Sequence, residues 1–274
     1  MLHQRINVKD ISNLKDSNAF IDIYIPGNSI EIDSDKKRKT IVICPGGGYE
    51  FTSDREAEPI ALNFISKGFN AIILRYSLKP NRFPKALLEL ASVINYTRSK
   101  SNEWNVDNDK IVVCGFSAGG HLAGSIGVLW NDKLINENLN ISNENVKPNG
   151  LILCYPVING LEYANKWSFD SLLGEDASEK RRRELSLEEL VSKDTPKTFL
   201  WHTFDDDAVP VENSLLFANS LRKNNIPFEL HIYPSGVHGL GLANELTASK
   251  GECKHINSHV STWFDLVIEW IESI

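Results

Sequence analysis

The chain has 274 residues, of which 42% are hydrophobic and 24% are charged, so its apolar content suffices for one large domain or two small ones. This composition excludes an intrinsically disordered chain, a collagen-like chain and a disulfide scaffold. The 29 Lys and Arg residues and 36 Asp and Glu residues give a net charge of −7, which argues against nucleic acid as a partner because such binding requires phosphates to be neutralised.

Short β-branched runs alternate with helical segments from residue 41 onward. The predicted strands are 41–44, 71–74, 111–114, 151–154, 198–202 and 228–233. The predicted helices are about 54–67, 84–100, 118–130, 211–224 and 258–272. The strand runs are continuously apolar, as in strands buried on both faces of a parallel sheet. We therefore predict an α/β fold: a three-layer sandwich with a mostly parallel central sheet and right-handed crossovers.

Three segments depart from this rhythm. Residues 20–25 alternate in polarity and are predicted to form an antiparallel edge strand, whereas residues 131–149 are rich in Asn and Glu and are predicted to form a surface loop. Residues 159–196 are too long for a structureless connection and predict a helical cap, in which Ser186 would cap a short helix with Glu189. The whole chain, 1–274, is expected to form a single domain with this cap inserted at about 159–196.

Membrane and secretion signals are not evident. No apolar run approaches the roughly 18 to 20 residues of a membrane helix, and the first seven residues do not form the apolar core of a signal peptide. Of the four cysteines, Cys44, Cys114 and Cys154 lie in or at the end of apolar strand runs and are predicted to be buried free thiols. We expect a cytoplasmic location, where thiols stay reduced.

The strongest chemical signal is the segment Gly115-Phe116-Ser117-Ala118-Gly119. It follows the strand at 111–114 and opens the helix at 118–130, which is the strand–turn–helix context of a nucleophile elbow. The flanking glycines are needed because side chains there would collide with the strand or the helix. Ser117 is therefore predicted to be a nucleophile.

A serine nucleophile needs a histidine base and an acid that orients it, in the chain order serine, acid, histidine. Of the seven histidines, only His238 lies in a glycine-flanked loop after the last strand. The acid should follow the strand at 198–202, where Asp205, Asp206 and Asp207 are adjacent. The residues alone leave the choice among these three aspartates open.

The segment Cys44-Pro45-Gly46-Gly47-Gly48-Tyr49 follows the strand at 41–44, where an oxyanion loop belongs. Glycines allow consecutive backbone amides to face a ligand closely. The predicted donors are the amides of Gly47, Gly48 and Ala118. The segment lacks the Gly-Lys-Ser/Thr ending of a phosphate loop and the spaced glycines of a dinucleotide site.

With these parts in order, the sequence resembles the α/β-hydrolase superfamily, and within it the acetyl-xylan-esterase-like or carbohydrate-esterase-like bacterial carboxylesterases. The resemblance covers about residue 18 to the end of the chain. The segments that carry it are Pro45-Gly46-Gly47-Gly48-Tyr49, Asp54-Arg55-Glu56, Leu74-Arg75-Tyr76, Gly115 to Ala123, Asp194-Thr195-Pro196, Trp201-His202-Thr203, Val209 to Ser214 and His238-Gly239. Pro45 replaces the histidine that precedes these glycines in hormone-sensitive-lipase-like esterases, which favours the carbohydrate-esterase-like branch.

The resemblance selects one of the three aspartates. The acid of these enzymes lies four residues after the motif histidine and three before the valine of Val-Pro, and both counts give Asp206. The resemblance also implies hydrolysis of short-chain acyl esters, typically acetyl, with sugar esters such as xylan fragments among the candidates. It implies no metal and no organic cofactor.

The substrate pocket and the partners are less well defined by the sequence. Tyr49 either lines the pocket or packs in the core, while Phe51, Trp167 and Phe169 are predicted to close the pocket and to favour short acyl chains. Arg55, Glu56 and Arg75 are interpreted as ion-pair residues that either stabilise the structure or support the site residues from behind. Cys253, His255 and His259 are interpreted as not forming a metal site. Dimers and tetramers are common in such enzymes, so a homo-oligomer is left open, and no membrane partner is expected.

A serine peptidase acting on short peptides and a non-catalytic binding protein on the same fold remain as alternatives.

Overall fold

The computed structural model describes residues 1–274, in which an eight-stranded sheet lies between layers of helices. The strand order is β1-β2-β4-β3-β5-β6-β7-β8, and all neighbours from β4 to β8 pair in parallel. The strands are β1 (Leu2–Asn7), β2 (Phe20–Ile25), β3 (Arg38–Cys44), β4 (Asn70–Arg75), β5 (Val106–Phe116), β6 (Gly150–Cys154), β7 (Thr198–Thr203) and β8 (Phe228–Tyr233). The predicted α/β class with a mostly parallel sheet is confirmed.

Ten α-helices accompany the sheet. They are α1 (Val8–Ile11), α2 (Glu58–Ser66), α3 (Lys85–Ser99), α4 (Ala118–Leu129), α5 (Lys133–Leu139), α6 (Lys166–Leu173), α7 (Glu179–Glu184), α8 (Leu187–Leu190), α9 (Glu212–Lys223) and α10 (Trp263–Glu272). None of these helices combines the length and the apolarity that a bilayer crossing requires.

Two hydrophobic clusters cover the two faces of the sheet. One contains buried side chains of α3, α4 and α9, and the other contains those of α2 and α10. Successive residues of one strand alternate between them: Val42 belongs to the first cluster, and Ile41 and Ile43 belong to the second. Burial on both faces explains why the strand sequences are continuously apolar. Cys44, Cys114 and Cys154 lie in this core as free thiols, as predicted, and Cys253 is exposed.

The N-terminal part of the sheet differs from the prediction. The strand at 20–25 is antiparallel, as expected, but it is not the edge, because β1 pairs with it on its outer side. The sequence of β1 is largely polar and exposed, so it carries no strand pattern. Arg5 of β1 donates two hydrogen bonds to the Asp22 carboxylate, at 2.7 and 3.0 Å, and thereby compensates the charge of a buried residue of β2.

Two predicted helices begin later than expected. The segment predicted as a helix over 54–67 starts with a 3₁₀ turn, Asp54–Glu56, and α2 begins at Glu58. The last helix likewise follows a 3₁₀ turn, Val260–Thr262.

The segment 131–149 is not simply a surface loop. It contains α5, whose first turn is capped by Asp132 through a 2.8 Å bond from the Leu134 amide. Ile135 and Leu139 are buried in the core. The polar composition of the segment conceals this pair of apolar residues, spaced one helical turn apart.

The connection between β6 and β7 contains α6, α7 and α8, and α8 packs against α4 and α9. The predicted capping role of Ser186 is wrong. Ser186 does precede α8, but its hydroxyl accepts from the Gly160 amide and donates to the Arg182 carbonyl, both at 3.0 Å. The side chain therefore ties the start of this connection to its middle instead of capping the helix.

Candidate active site

Ser117 lies on a strained turn between β5 and α4. Its φ of 54° and ψ of −119° are unusual for a residue with a side chain. A Cβ at Gly115 would collide with the Gly119 carbonyl, and one at Gly119 would collide with the Cys44 carbonyl. The two glycines thus allow the sharp turn, which projects the Ser117 hydroxyl from the carboxyl end of the sheet.

A line of hydrogen bonds joins three side chains from three separate loops. His238, after β8, places its Nε2 atom 2.7 Å from the Ser117 Oγ atom and its Nδ1 atom 2.7 Å from Oδ2 of Asp206, after β7. Because an ionised carboxylate only accepts, Nδ1 of His238 donates to Asp206, and Nε2 is left to accept from the Ser117 hydroxyl. This arrangement can transfer a proton from the serine hydroxyl to the imidazole.

The Asp206 carboxylate is held in place from both oxygens. Oδ1 accepts from the amides of Ala208 and Val209, at 2.9 and 2.8 Å, and the side chain is only 1% exposed. Burial by itself raises the pKa of Asp206, but the nearby His202 and the hydrogen bonds with His238 and the Val209 amide outweigh it and hold that pKa well below its usual range. Asp206 therefore stays ionised wherever an imidazolium forms beside it.

The two neighbouring aspartates point elsewhere. Oδ1 of Asp205 accepts from the Gly236 amide at 2.7 Å, which lowers the pKa of Asp205 and links the loop after β7 to the loop that carries His238. Asp207 is exposed. Of the three candidate acids, only Asp206 contacts His238.

The glycine loop after β3 places Gly47 and Gly48 at the cleft. Gly47 and Gly48 have φ values of 129° and 62°, and their N–H groups donate to no protein acceptor. The Ala118 N–H, at the start of α4, likewise has no partner inside its helix. The positive end of the α4 dipole lies beside these donors, an arrangement that favours a negatively charged oxygen.

Ser117 and His238 open into a cleft of about 510 Å³, which Gly47 and Gly48 also line. Its only two hydrophobic lining residues are Phe51 and Trp167, with exposures of 52% and 46% and ring centroids 6.2 Å apart. The rest of the lining is glycine, polar or charged. The indole of Trp167 lies directly against Gly48, where a Cβ would overlap it.

Two of the predicted substrate contacts do not reach this cleft. Tyr49 and Phe169 are 4% and 1% exposed, and both pack against His121, with the phenol oxygen of Tyr49 2.9 Å from Nδ1 of His121. The prediction that Phe169 closes the pocket is therefore wrong, and of the two alternatives for Tyr49 the structure has the packed one. Trp167 does line the cleft, and its contact with substrate stays a prediction.

His121 links three parts of the site. Its Nε2 atom lies 3.0 Å from the Leu185 carbonyl, to which it donates, so Nδ1 accepts from the Tyr49 hydroxyl. Burial lowers the pKa of His121 to about 4, and the bond to Leu185 opposes this only in part. A neutral His121 thus connects α4, the glycine loop and the segment before α8.

We expect the stability of the protein to decrease as His121 is forced to ionise. Because the pKa of His121 is about 4 when folded and 6.5 when unperturbed, its contribution is complete above pH 6.5 and is lost as the pH falls toward 4. Between about pH 7 and pH 4.5, urea unfolding should show the wild type losing about 2 to 3 kcal/mol more than His121→Gln. The exposed His259, replaced by Gln, is the matched control and should behave as the wild type does. An identical pH dependence for His121→Gln and the wild type would contradict the expectation.

The three residues interpreted as ion-pair residues have different roles. Arg75 does pair with Asp54, at 2.7 Å, whereas Arg55 donates to the Gly239 carbonyl and to the Ser249 hydroxyl, at 3.1 and 2.6 Å. Glu56 is bound to the Gly46 amide and to the Tyr155 hydroxyl. The sequence reasoning missed Tyr155, although its position directly after a parallel strand placed it at the edge of the sheet where the site forms.

Comparison with known proteins identifies the family of this chain. The model of the BD-FAE family matches residues 21–221, well over half of the chain. The chain belongs to the BD-FAE family. Its fold is that of the α/β hydrolases, and similar proteins are named esterases and carboxylic ester hydrolases.

Two curated proteins are similar in sequence to this BD-FAE protein. Endo-1,4-beta-xylanase B of Butyrivibrio fibrisolvens is 37% identical over 78% of this chain and 34% of its own length. Acetylxylan esterase of Xylanibacter ruminicola is 30% identical over 74% of this chain and 41% of its own length. The chain thus spans about one third to two fifths of these relatives.

A solved structure matches over almost the full length. The acetyl ester-xyloside bifunctional hydrolase of Caldicellulosiruptor lactoaceticus is 37% identical, with a TM-score of 0.83, and the match covers 98% of this chain and 96% of that one. The similarity therefore extends well beyond the residues that the family model matches.

Proposed function

We propose that this BD-FAE protein is a serine carboxylesterase that hydrolyses short-chain acyl esters, chiefly acetyl esters, with acetylated sugars such as xylan fragments as candidate substrates. The observation that carries the proposal is the Ser117–His238–Asp206 line, at 2.7 Å for both contacts, beside the unpaired amides of Gly47 and Gly48. The names of the relatives support the same chemistry.

In the first step of the proposed reaction, the Ser117 hydroxyl attacks the ester carbonyl while Nε2 of His238 takes its proton. The carbonyl oxygen becomes an oxyanion that the amides of Gly47, Gly48 and Ala118 stabilise. When the tetrahedral intermediate collapses, the imidazolium protonates the leaving alcohol and an acyl-enzyme remains. Asp206 holds the imidazole in the required tautomer and stabilises its positive charge throughout.

In the second step, water attacks the acyl carbonyl and passes a proton to His238. A second oxyanion forms at the same amides, and its collapse returns the proton to Ser117 and releases the carboxylic acid. Every proton transfer uses the same imidazole nitrogen, so the 2.7 Å contact between Nε2 and the serine oxygen serves both steps.

We predict a preference for acetyl to butyryl esters over long-chain esters. The cleft presents two aromatic rings and otherwise glycine or polar groups, so a long alkyl chain would find little apolar surface to bury. On p-nitrophenyl esters, kcat/KM for acetate should exceed that for decanoate by about tenfold or more. Faster hydrolysis of the decanoate would contradict the prediction.

The decisive experiment is one activity panel with the purified protein. It combines p-nitrophenyl esters, acetylated xylo-oligosaccharides and short peptide anilides, with Ser117→Ala as the background control. Release of acetate from the sugars supports the full proposal, and cleavage of anilides in preference to esters would favour the peptidase. No turnover and no labelling by a fluorophosphonate probe would favour the non-catalytic alternative.

A further inference from the structure

Glu56 is a buried carboxyl group beside the cleft that the proposed reaction does not use. It belongs to the 3₁₀ turn Asp54–Glu56, and the residue is only 3% exposed. One oxygen, Oε2, accepts from the Gly46 amide at 2.8 Å. Gly46 directly precedes the two glycines that line the cleft, Gly47 and Gly48, so Glu56 anchors the loop that carries them.

The other oxygen of Glu56 leads to the opposite side of the cleft. Oε1 accepts from the Tyr155 hydroxyl at 2.7 Å, and the same hydroxyl accepts from the Gly241 amide at 3.0 Å. The ring of Tyr155 meets the ring of His238 edge to face, with centroids 5.0 Å apart. One carboxylate is thus connected to the glycine loop and, through Tyr155, to the loop that carries His238.

Both hydrogen-bond partners of Glu56 donate to it, which suits the ionised form. Burial raises the pKa of Glu56, while the Tyr155 hydroxyl, the nearby His238, the Gly46 amide and Arg55 oppose that rise. Glu56 makes no ion pair, because the guanidinium of Arg55 donates to the Gly239 carbonyl and the Ser249 hydroxyl instead. When Glu56 is ionised, it therefore places near the imidazole a negative charge that no direct contact neutralises.

Other ionisable groups also lie near Glu56 and His238. Asp206 contacts His238 directly. The groups that face Glu56 are Arg55, Tyr76, Cys154, Tyr155 and His238. Burial keeps the pKa values of Tyr76, Tyr155 and Cys154 well above their usual range, so these three groups are neutral at physiological pH. Among the remaining neighbours of the imidazole, Asp206 and Glu56 are negative and Arg55 is positive.

The geometry points to Glu56 as a positioning residue that fixes the glycine loop and the His238 loop relative to each other and supplies a second negative charge for the imidazolium. This inference rests on the proposed esterase function. It differs from the interpretation of Glu56 as a structural ion-pair residue, because a structural role alone would not change how the rate depends on pH.

The test compares kcat and KM of Glu56→Gln, Glu56→Asp and wild type on p-nitrophenyl acetate between about pH 5 and pH 9. The Gln variant keeps the size and an acceptor for Gly46 but removes the charge. We expect its kcat to fall by about 10- to 100-fold with little change in KM. The acid limb of kcat/KM should move to lower pH by roughly half a unit or more, because an imidazole with fewer negative neighbours binds its proton less strongly.

Glu56→Asp keeps the charge but shortens the reach by one methylene group, so its kcat should fall while the acid limb stays at the wild-type position. It also serves as the second variant if Glu56→Gln does not fold, and an Asp variant with undiminished kcat would then overturn the positioning role. Glu58→Gln is the control, because the exposed Glu58 also accepts from a tyrosine hydroxyl, that of Tyr24 at 2.9 Å, but does not line the cleft. It should retain wild-type kinetics.

An unshifted acid limb in a folded Glu56→Gln variant would overturn the inference, whatever its kcat. The outcome remains distinguishable from failure of the proposed function. Wild-type protein without esterase activity or fluorophosphonate labelling contradicts the function itself, whereas an active wild type that Glu56→Gln matches in rate and pH profile contradicts only the role of Glu56.

Discussion

Replacing Ser117 with Ala is expected to lower kcat on p-nitrophenyl acetate by about 10⁴- to 10⁶-fold, the loss seen when a triad nucleophile is removed. The change deletes one oxygen, whose hydrogen bond runs to Nε2 of His238 at 2.7 Å. Alanine retains a Cβ, so the strain of the turn at φ 54° is unchanged and the fold should persist. The measurement is kcat for the purified variant, with circular dichroism to verify folding.

A matched control exists on the same helix. Ser125 of α4 is also buried, but its hydroxyl donates to the His121 carbonyl at 2.7 Å and does not reach the cleft. Ser125→Ala should therefore keep most of the wild-type rate and should still react with a fluorophosphonate probe. If Ser117→Ala retained more than about a tenth of the wild-type rate, or still bound the probe covalently, Ser117 would not be the nucleophile.

The second large effect is expected from Asp206→Asn, with a loss of up to about 10⁴-fold in kcat. Oδ1 of Asp206 accepts from the Ala208 and Val209 amides, so the oxygen of the new amide should take that position. Its NH₂ group, which is a donor, then faces Nδ1 of His238, which donates to the carboxylate in the wild type. The imidazole must therefore adopt the tautomer in which Nδ1 accepts and Nε2 carries the proton. Nε2 can then no longer accept from the Ser117 hydroxyl.

The neighbouring aspartates provide the controls for this variant. Asp205→Asn keeps an acceptor for the Gly236 amide and loses only the charge, so we expect a reduction of a few fold. Asp207→Asn changes an exposed side chain and should stay within about twofold of wild type. All three variants are compared by kcat at one pH. A large loss of kcat in Asp205→Asn or Asp207→Asn, with kcat retained in Asp206→Asn, would mean that the acid had been misassigned.

The local chemistry of the site could be predicted from the sequence because each element of it depends on neighbouring residues. The glycines around Ser117 and the Gly46-Gly47-Gly48 run are required by turns that side chains would obstruct, and such requirements are visible in a short stretch of residues. Burial of the strands on both faces gives continuously apolar runs, so the order of strands and helices was also predictable.

The failures occurred where a residue's environment comes from distant parts of the chain. The polar strand β1 is stabilised by pairing with β2, and Arg5 compensates Asp22 across that pair. Ser186 bonds to Gly160 and Arg182 instead of capping α8. Short-range patterns contain no information on such partners.

The sequence by itself determined the fold class, the turn that presents Ser117, the glycine loop beside it and the loop that carries His238. The residues alone left three aspartates open, and the family resemblance selected Asp206, whose contact with the imidazole the structure then shows. Only the tertiary structure decided that Tyr49 and Phe169 pack behind the cleft and that Glu56 and Tyr155 connect its two sides. The physical reason is that the side chains of adjacent residues point in different directions. Which side chain points into the cleft depends on how the loops after five strands meet at one edge of the sheet, and that meeting is set by the packing of the whole domain.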